Sequence, residues 1–170
     1  MYYVYGMRRL LIISISYSEA IEFLYSSNYM LMSNVRPPFV LPHLTSLLLP
    51  QRLNSIRHLR INWSVDHYIY RTNPDFTEWF AGWDSLCKLE GLHYLHIRIR
   101  NSHLLNDCDA EIEEFFYEGW DAWNTHSTAM FEPVKRVKAL KKFVVTLPNT
   151  KCSTDFDVGT SNCQFRLPVK

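Results

Sequence analysis

Three stretches of this chain share one apolar pattern, and it limits the possible folds more than any other feature. The first places Ile56, Leu59, Ile61 and Trp63 at intervals of three, two and two. Leu92, Leu95, Ile97 and Ile99 repeat it, and so do Leu140, Phe143, Val145 and Leu147. The repeat falls 36 residues on from Ile56 to Leu92 and 48 from Leu92 to Leu140. Alternation at period two over the last three positions is the signature of a strand with one buried face. Each copy follows a helical stretch. A helix-then-strand unit used three times predicts parallel strands side by side, with helices against them.

The expected fold class is therefore α/β, built from irregular leucine-rich-repeat-like helix–strand units. A small parallel sheet would be flanked by helices. Regular leucine-rich repeats recur every ~20–29 residues, so this spacing is irregular, and their asparagine ladder is missing. An ordinary α/β sheet with crossovers remains the alternative. A helix is expected from the capping box Ser16–Glu19 to Ser27, then a short strand over Tyr29–Met32. A loop follows at Asn34–Pro38, where two successive prolines rule out a helix interior. Pro42 and Pro50 each open a short helix. Asn73 and Pro74 start a longer one carrying Phe76, Phe80, Trp83 and Leu86, with Gly91 at its end. Ile112, Phe116, Trp120 and Trp123 line another, from about Asp109 to Trp123. Glu132 and Pro133 begin a last helix with Val134, Val137 and Leu140 inward. The chain divides into a short N-terminal segment (1–15), an α/β domain (16–148) and a polar C-terminal tail (149–170), with a final strand at Gln164–Leu167.

The same alternation decides which side chains point away from the helices: His58, Arg60 and Asn62, then Tyr94, His96, Arg98 and Arg100, then Lys142, Val144 and Thr146. Arg60, His96, Arg98, Arg100 and Lys142 make that face basic, and they are the candidate binding residues. Formal net charge is only +1, so neither nucleic acid nor an anionic membrane is expected as a partner. A basic patch on a neutral chain suits an acidic peptide or a phosphate group, although exposed strand faces are polar with or without a partner.

Catalytic and metal patterns are mostly absent. Cys87, Cys108, Cys152 and Cys163 form no Cys-x-x-Cys pair, and His93 and His96 would point to opposite faces of a strand. Glycine-rich phosphate loops and nucleophile motifs are missing. No cofactor is expected. Asp107, Glu111, Glu114 and Glu118 form an acidic stripe, read as a solvated helix face pairing with Lys135, Arg136, Lys138, Lys141 and Lys142. The aromatic pairs Trp79/Trp83 and Trp120/Trp123 are read as core. The apolar run Leu10–Ile15 is too short for a signal core, and no segment approaches a membrane span. Unpaired-looking cysteines suit a reducing interior, cytoplasmic or nuclear. Cys152 and Cys163 would bridge only if oxidised.

Several words of the sequence, taken in order, resemble a fungal family that carries a domain of unknown function, numbered 7730. They are the Tyr17–Ser26 helix, Leu47–Leu53, the Ile56–Trp63 strand, Gly91–Leu95 and Phe143–Pro148. The resemblance covers about residues 16–148. It implies an uncharacterised protein, with some members described as F-box-like with leucine-rich repeats, and it transfers no catalytic residue. Members usually carry more chain before the first helix, often with a Cys-Arg pair; here Ser14–Ser16 stands there. Sixteen residues cannot hold an F-box, so a truncated or altered N-terminus is expected, and a Skp1-type adaptor is a partner only if the N-terminus is longer. The leading expectation is a non-enzymatic domain that binds a protein or peptide through the basic strand face. An F-box-like substrate receptor of a ubiquitin ligase and an enzyme of unknown class are the alternatives.

Overall fold

A computed structural model describes residues 17–35, 41, 43, 44, 46–65, 76–100 and 113–169. In chain order the elements are α1 (Tyr17–Ser27), β1 (Tyr29–Val35), α2 (Pro50–Ser55), β2 (His58–Ser64), α3 (Thr77–Cys87), β3 (Tyr94–Arg100), α4 (Glu113–Phe131), a 3-10 turn (Glu132–Arg136), β4 (Lys142–Thr146) and β5 (Cys163–Arg166). The five strands form one sheet in sequential order, and every neighbouring pair is parallel. Sequential order sends each crossover in the same direction across the sheet. Because such crossovers are right-handed, the described helices between the strands fall over a single face.

That face is the core. Leu59, Ile61 and Trp63 on β2, Leu95, Ile97 and Ile99 on β3, and Phe143 and Val145 on β4 are all buried. The register lines them up: Leu59 lies beside Leu95, which lies beside Phe143, and Ile61 beside Ile97 beside Val145. The buried pattern begins three residues before each copy, at Leu53, Leu89 and Val137. Trp63 stacks on Trp79 of α3 with ring centroids 4.3 Å apart, and Trp83 sits 5.2 Å from it. Trp123 of α4 meets Phe131 edge-on at 6.1 Å. The tryptophan pairs are thus largely core, although Trp120 is half-buried.

Two further strands belong to the sheet. Met30 and Met32 on β1 pair with Leu59 and Ile61, and Cys163 and Phe165 on β5 pair with Phe143 and Val145. The polar stretch after Pro148 is therefore no detached tail. Cys152, Ser161 and Cys163 are buried, and Phe156 and Phe165 pack their rings 4.6 Å apart, each within 5.0 Å of Phe131.

Side chains tie successive units at the helix-to-strand turns. The Arg57 guanidinium donates to the carbonyls of Asn54 and Gly91, both at 2.8 Å. Lys138 donates to the Glu90 carbonyl, and Asn162 both donates to the Leu140 carbonyl and accepts from its N–H. Gly91 is required by this contact, since a Cβ there would stand 1.8 Å from the Asn54 oxygen. It does not cap α3, which ends four residues earlier at Cys87.

Other expectations need correction. α3 begins at Thr77 with Phe76 at the cap position, while Asn73 and Pro74 lie outside the described residues, as do Ser16, the 1–15 segment and Pro42. The strand expected over Tyr29–Met32 runs on to Val35, taking in Asn34. α4 runs eight residues past Trp123, and the helix expected from Glu132 is only a five-residue 3-10 turn. Pro133 lacks the N–H that an α-helical ladder needs, and Val137 is already extended. Asp107 and Glu111 are outside the described residues, as are the side chains of Glu114 and Glu118. The expected pairing of that stripe with the basic residues therefore lies outside the described residues; among those described, Lys135 pairs with Glu132 at 2.8 Å and Asp157 at 2.9 Å, and Arg136 with Asp84 at 2.7 Å.

Candidate functional site

Parallel sheets are usually covered on both faces. Here the second face carries mainly polar and aromatic side chains that are exposed or half-buried, with half-buried Leu31 and buried Val144 its aliphatic members. Register sorts them into rows across the strands. Tyr29, His58, Tyr94 and Lys142 form the first, and Leu31, Arg60, His96, Val144 and Gln164 the second. Asn62, Arg98, Thr146 and Arg166 form the third, and Ser64 and Arg100 the fourth. A groove of about 450 Å³ opens over the first three rows, and Leu167 and Val169 of the chain's last stretch reach its rim.

The five candidate residues all lie on this face. Arg60, Arg98, Arg100 and Lys142 are exposed, and His96 is half-buried among them. His96 Nε2 lies 2.8 Å from the Thr146 hydroxyl across to β4. Burial lowers the His96 pKa, and the surrounding charges of Arg60, Lys142, Arg166 and Arg98 lower it further. The ring is thus held neutral where an isolated histidine would begin to charge. Among the described residues, no carboxylate pairs with Arg60, Arg98, Arg100, Lys142 or Arg166. Arg166 donates to its neighbour Gln164 at 2.7 Å.

The first row is aromatic. The His58 ring stacks on Tyr94, with centroids 4.6 Å apart and planes 14° from parallel, and Tyr29 meets its other side at 4.8 Å. His58 Nδ1 is buried with no hydrogen-bond partner among the described residues. Lys142 closes the row on β4.

Sequence reasoning missed Arg166 and Tyr29 as members of the face. The signal for Arg166 was its alternation with Gln164, and that for Tyr29 its place two residues before Leu31, but neither flanking strand shows the full apolar pattern. Chemically, the face offers cations, hydroxyls and aromatic rings. Among the described residues no three His, Cys, Asp or Glu side chains cluster as metal ligands would, and no described helix is long and apolar enough to cross a membrane. Cys87, Cys152 and Cys163 are free thiols.

With that geometry in hand, comparison with protein families is decisive on one point. A model for DUF7730, a domain of unknown function, matches residues 7–168. The chain belongs to the DUF7730 family. The match takes in all five strands, including β1 and β5. Neither the curated proteins nor the solved structures gave a match.

Proposed function

We propose that this DUF7730 chain is a non-enzymatic protein-interaction domain that binds a protein or peptide partner through the open sheet face. The single observation that carries this is a parallel-sheet face whose cations, spread over several strands, are exposed and have no carboxylate partners among the described residues. Five sequential parallel strands, tied turn to turn by Arg57, Lys138 and Asn162, follow the leucine-rich-repeat logic of stacked units with one exposed strand surface. Such a surface presents side chains from several strands at fixed spacing, which suits recognition of an extended partner. The free thiols fit a reducing, intracellular setting.

Affinity capture from a fungal extract tests the reading, with wild-type bait beside the Arg60→Glu, Arg98→Glu, Arg100→Glu triple variant. A protein retained by the wild type and lost by the folded variant is the expected result. Equal recovery of every protein by both baits would overturn it.

An F-box-like substrate receptor is the second reading. In its favour, α1 exposes Phe23 and Leu24, and Leu47 and Leu49 are also exposed, which leaves apolar surface for an adaptor. Recovery of a Skp1-type adaptor by both baits would decide for it.

A further inference from the structure

The open face changes in character along its strands. At their N-terminal ends stand the rings of Tyr29, His58 and Tyr94, with His58 in contact with both tyrosines. Beyond them the cations are spread out: Arg60 in the second row, Arg98 and Arg166 in the third, Arg100 in the fourth. Successive rows lie two residues apart, roughly 6.6 Å along a strand, and neighbouring strands are about 4.8 Å apart. The cations beyond the aromatic row therefore cover about 13 Å of strand length. A single phosphate would reach only a fraction of them. An extended peptide with acidic side chains at alternate positions repeats at the same ~6.6 Å interval as the rows.

We propose that this face takes an extended acidic peptide segment of a partner protein. An aromatic or apolar side chain at one end packs against Tyr29, His58 and Tyr94, and alternate carboxylates lie over Arg60, Arg98 and Arg100. The inference rests on the reading that the face binds a partner, and it names the chemistry of what is bound. Charge complementarity is the warrant: like charges gathered without a carboxylate partner among the described residues are relieved by an arriving polyanion, which also steers encounter. Leu167 and Val169, 38% and 97% exposed, add apolar surface at the groove's rim.

His96 supplies an internal reporter. It faces Arg60 from β2, Lys142 and Thr146 from β4, Arg166 from β5 and Arg98 from its own strand. Carboxylates laid over these cations offset their share of the lowering of the His96 pKa, while burial, the larger cause, remains. The titration of the ring therefore moves on binding, and His96 reports occupancy of the face.

Fluorescence anisotropy with the intact chain tests this. The probe is a labelled decapeptide with Trp at one end and Glu at alternate positions, separated by Ser. Its analogue with Gln for every Glu, and a thymidine decanucleotide, are measured beside it. Saturable binding is expected, at least about tenfold tighter than for the Gln analogue and weaker at about 300 mM than at about 50 mM salt. Arg60→Glu with Arg98→Glu should weaken it by about tenfold or more, with an unchanged thermal melt. If that pair does not fold, Arg60→Gln with Arg98→Gln serves the same comparison. Tyr94→Ala should weaken the Trp-bearing peptide but not a version with Ser in its place. Equal binding of the Glu and Gln peptides, or tighter binding of the oligonucleotide, overturns the proposal. Capture of a face-dependent partner together with no affinity for the Glu peptide would sink this inference alone and leave the interaction reading standing. Loss of both would remove the two together.

Discussion

At the residue scale, the tryptophans divide by what their indole N–H groups reach. Trp79 Nε1 donates to the Met130 carbonyl at 2.6 Å, one of the last four carbonyls of α4, which have no partner inside their helix. Trp63 and Trp83 bury their N–H groups with no partner among the described residues. Replacement by phenylalanine removes similar volume at each site, but only at Trp79 does it strand a buried acceptor. Trp79→Phe should therefore cost about 1–3 kcal/mol more than Trp83→Phe; equal urea midpoints would refute the role given to that bond. Burial pushes the Cys152 thiol up to about 11 and Cys163 to about 12, from the ordinary 9.0. A raised thiol pKa means that the unfolded chain ionises first, so the contribution to stability is intact below about pH 9 and is lost as the pH climbs through the folded-state values. Stability should fall from about pH 9 upward, and this slope should be shallower in a Cys152→Ala, Cys163→Ala double variant. Matching slopes would contradict burial as the cause.

Elements of this fold hold together through their turns as much as through their faces. Gly91 illustrates the point. It follows α3, leads into β3, and lies so close to the Asn54 carbonyl at the end of α2 that no side chain fits. Arg57 binds both carbonyls at this junction. Gly91→Ala should separate the α2–β2 and α3–β3 units and cost on the order of 1–3 kcal/mol, the usual range for overpacking. A melt unchanged from wild type would show that the junction yields freely. A glycine after a helical pattern reads naturally as a helix cap, and that is how the sequence alone presents it. Its real constraint comes from a residue 37 positions earlier, which local pattern cannot reveal. The same holds for the 3-10 turn at Glu132–Arg136: Pro133 was legible as a helix start, but α4 runs directly into it and leaves no loop.

For the whole molecule, the sheet's sequential order leaves one face to the helices and the other to cations and aromatic rings. Reversing Arg60, Arg98 and Arg100 to Glu touches no buried side chain and relieves like-charge repulsion among exposed groups. The melting temperature of that variant should stay within about 5 °C of wild type, since surface changes usually fall within about 0.5 kcal/mol. A collapse in stability would mean that these arginines hold the fold together rather than face a partner.

The sequence by itself determined the inner face of three strands, because a period-two apolar pattern can satisfy only one buried side of a sheet. It determined by the same logic that Arg60, Arg98, Arg100 and Lys142 stand together on the other. The tertiary structure alone decided that β1 and β5 complete the sheet. Their inward residues, Met30 with Met32 and Cys163 with Phe165, match the pattern only once register sets them beside Leu59, Ile61, Phe143 and Val145. It also decided the company His96 keeps. Thr146 and Arg166 are 50 and 70 residues away along the chain, and only strand pairing, which is non-local, brings them to one groove.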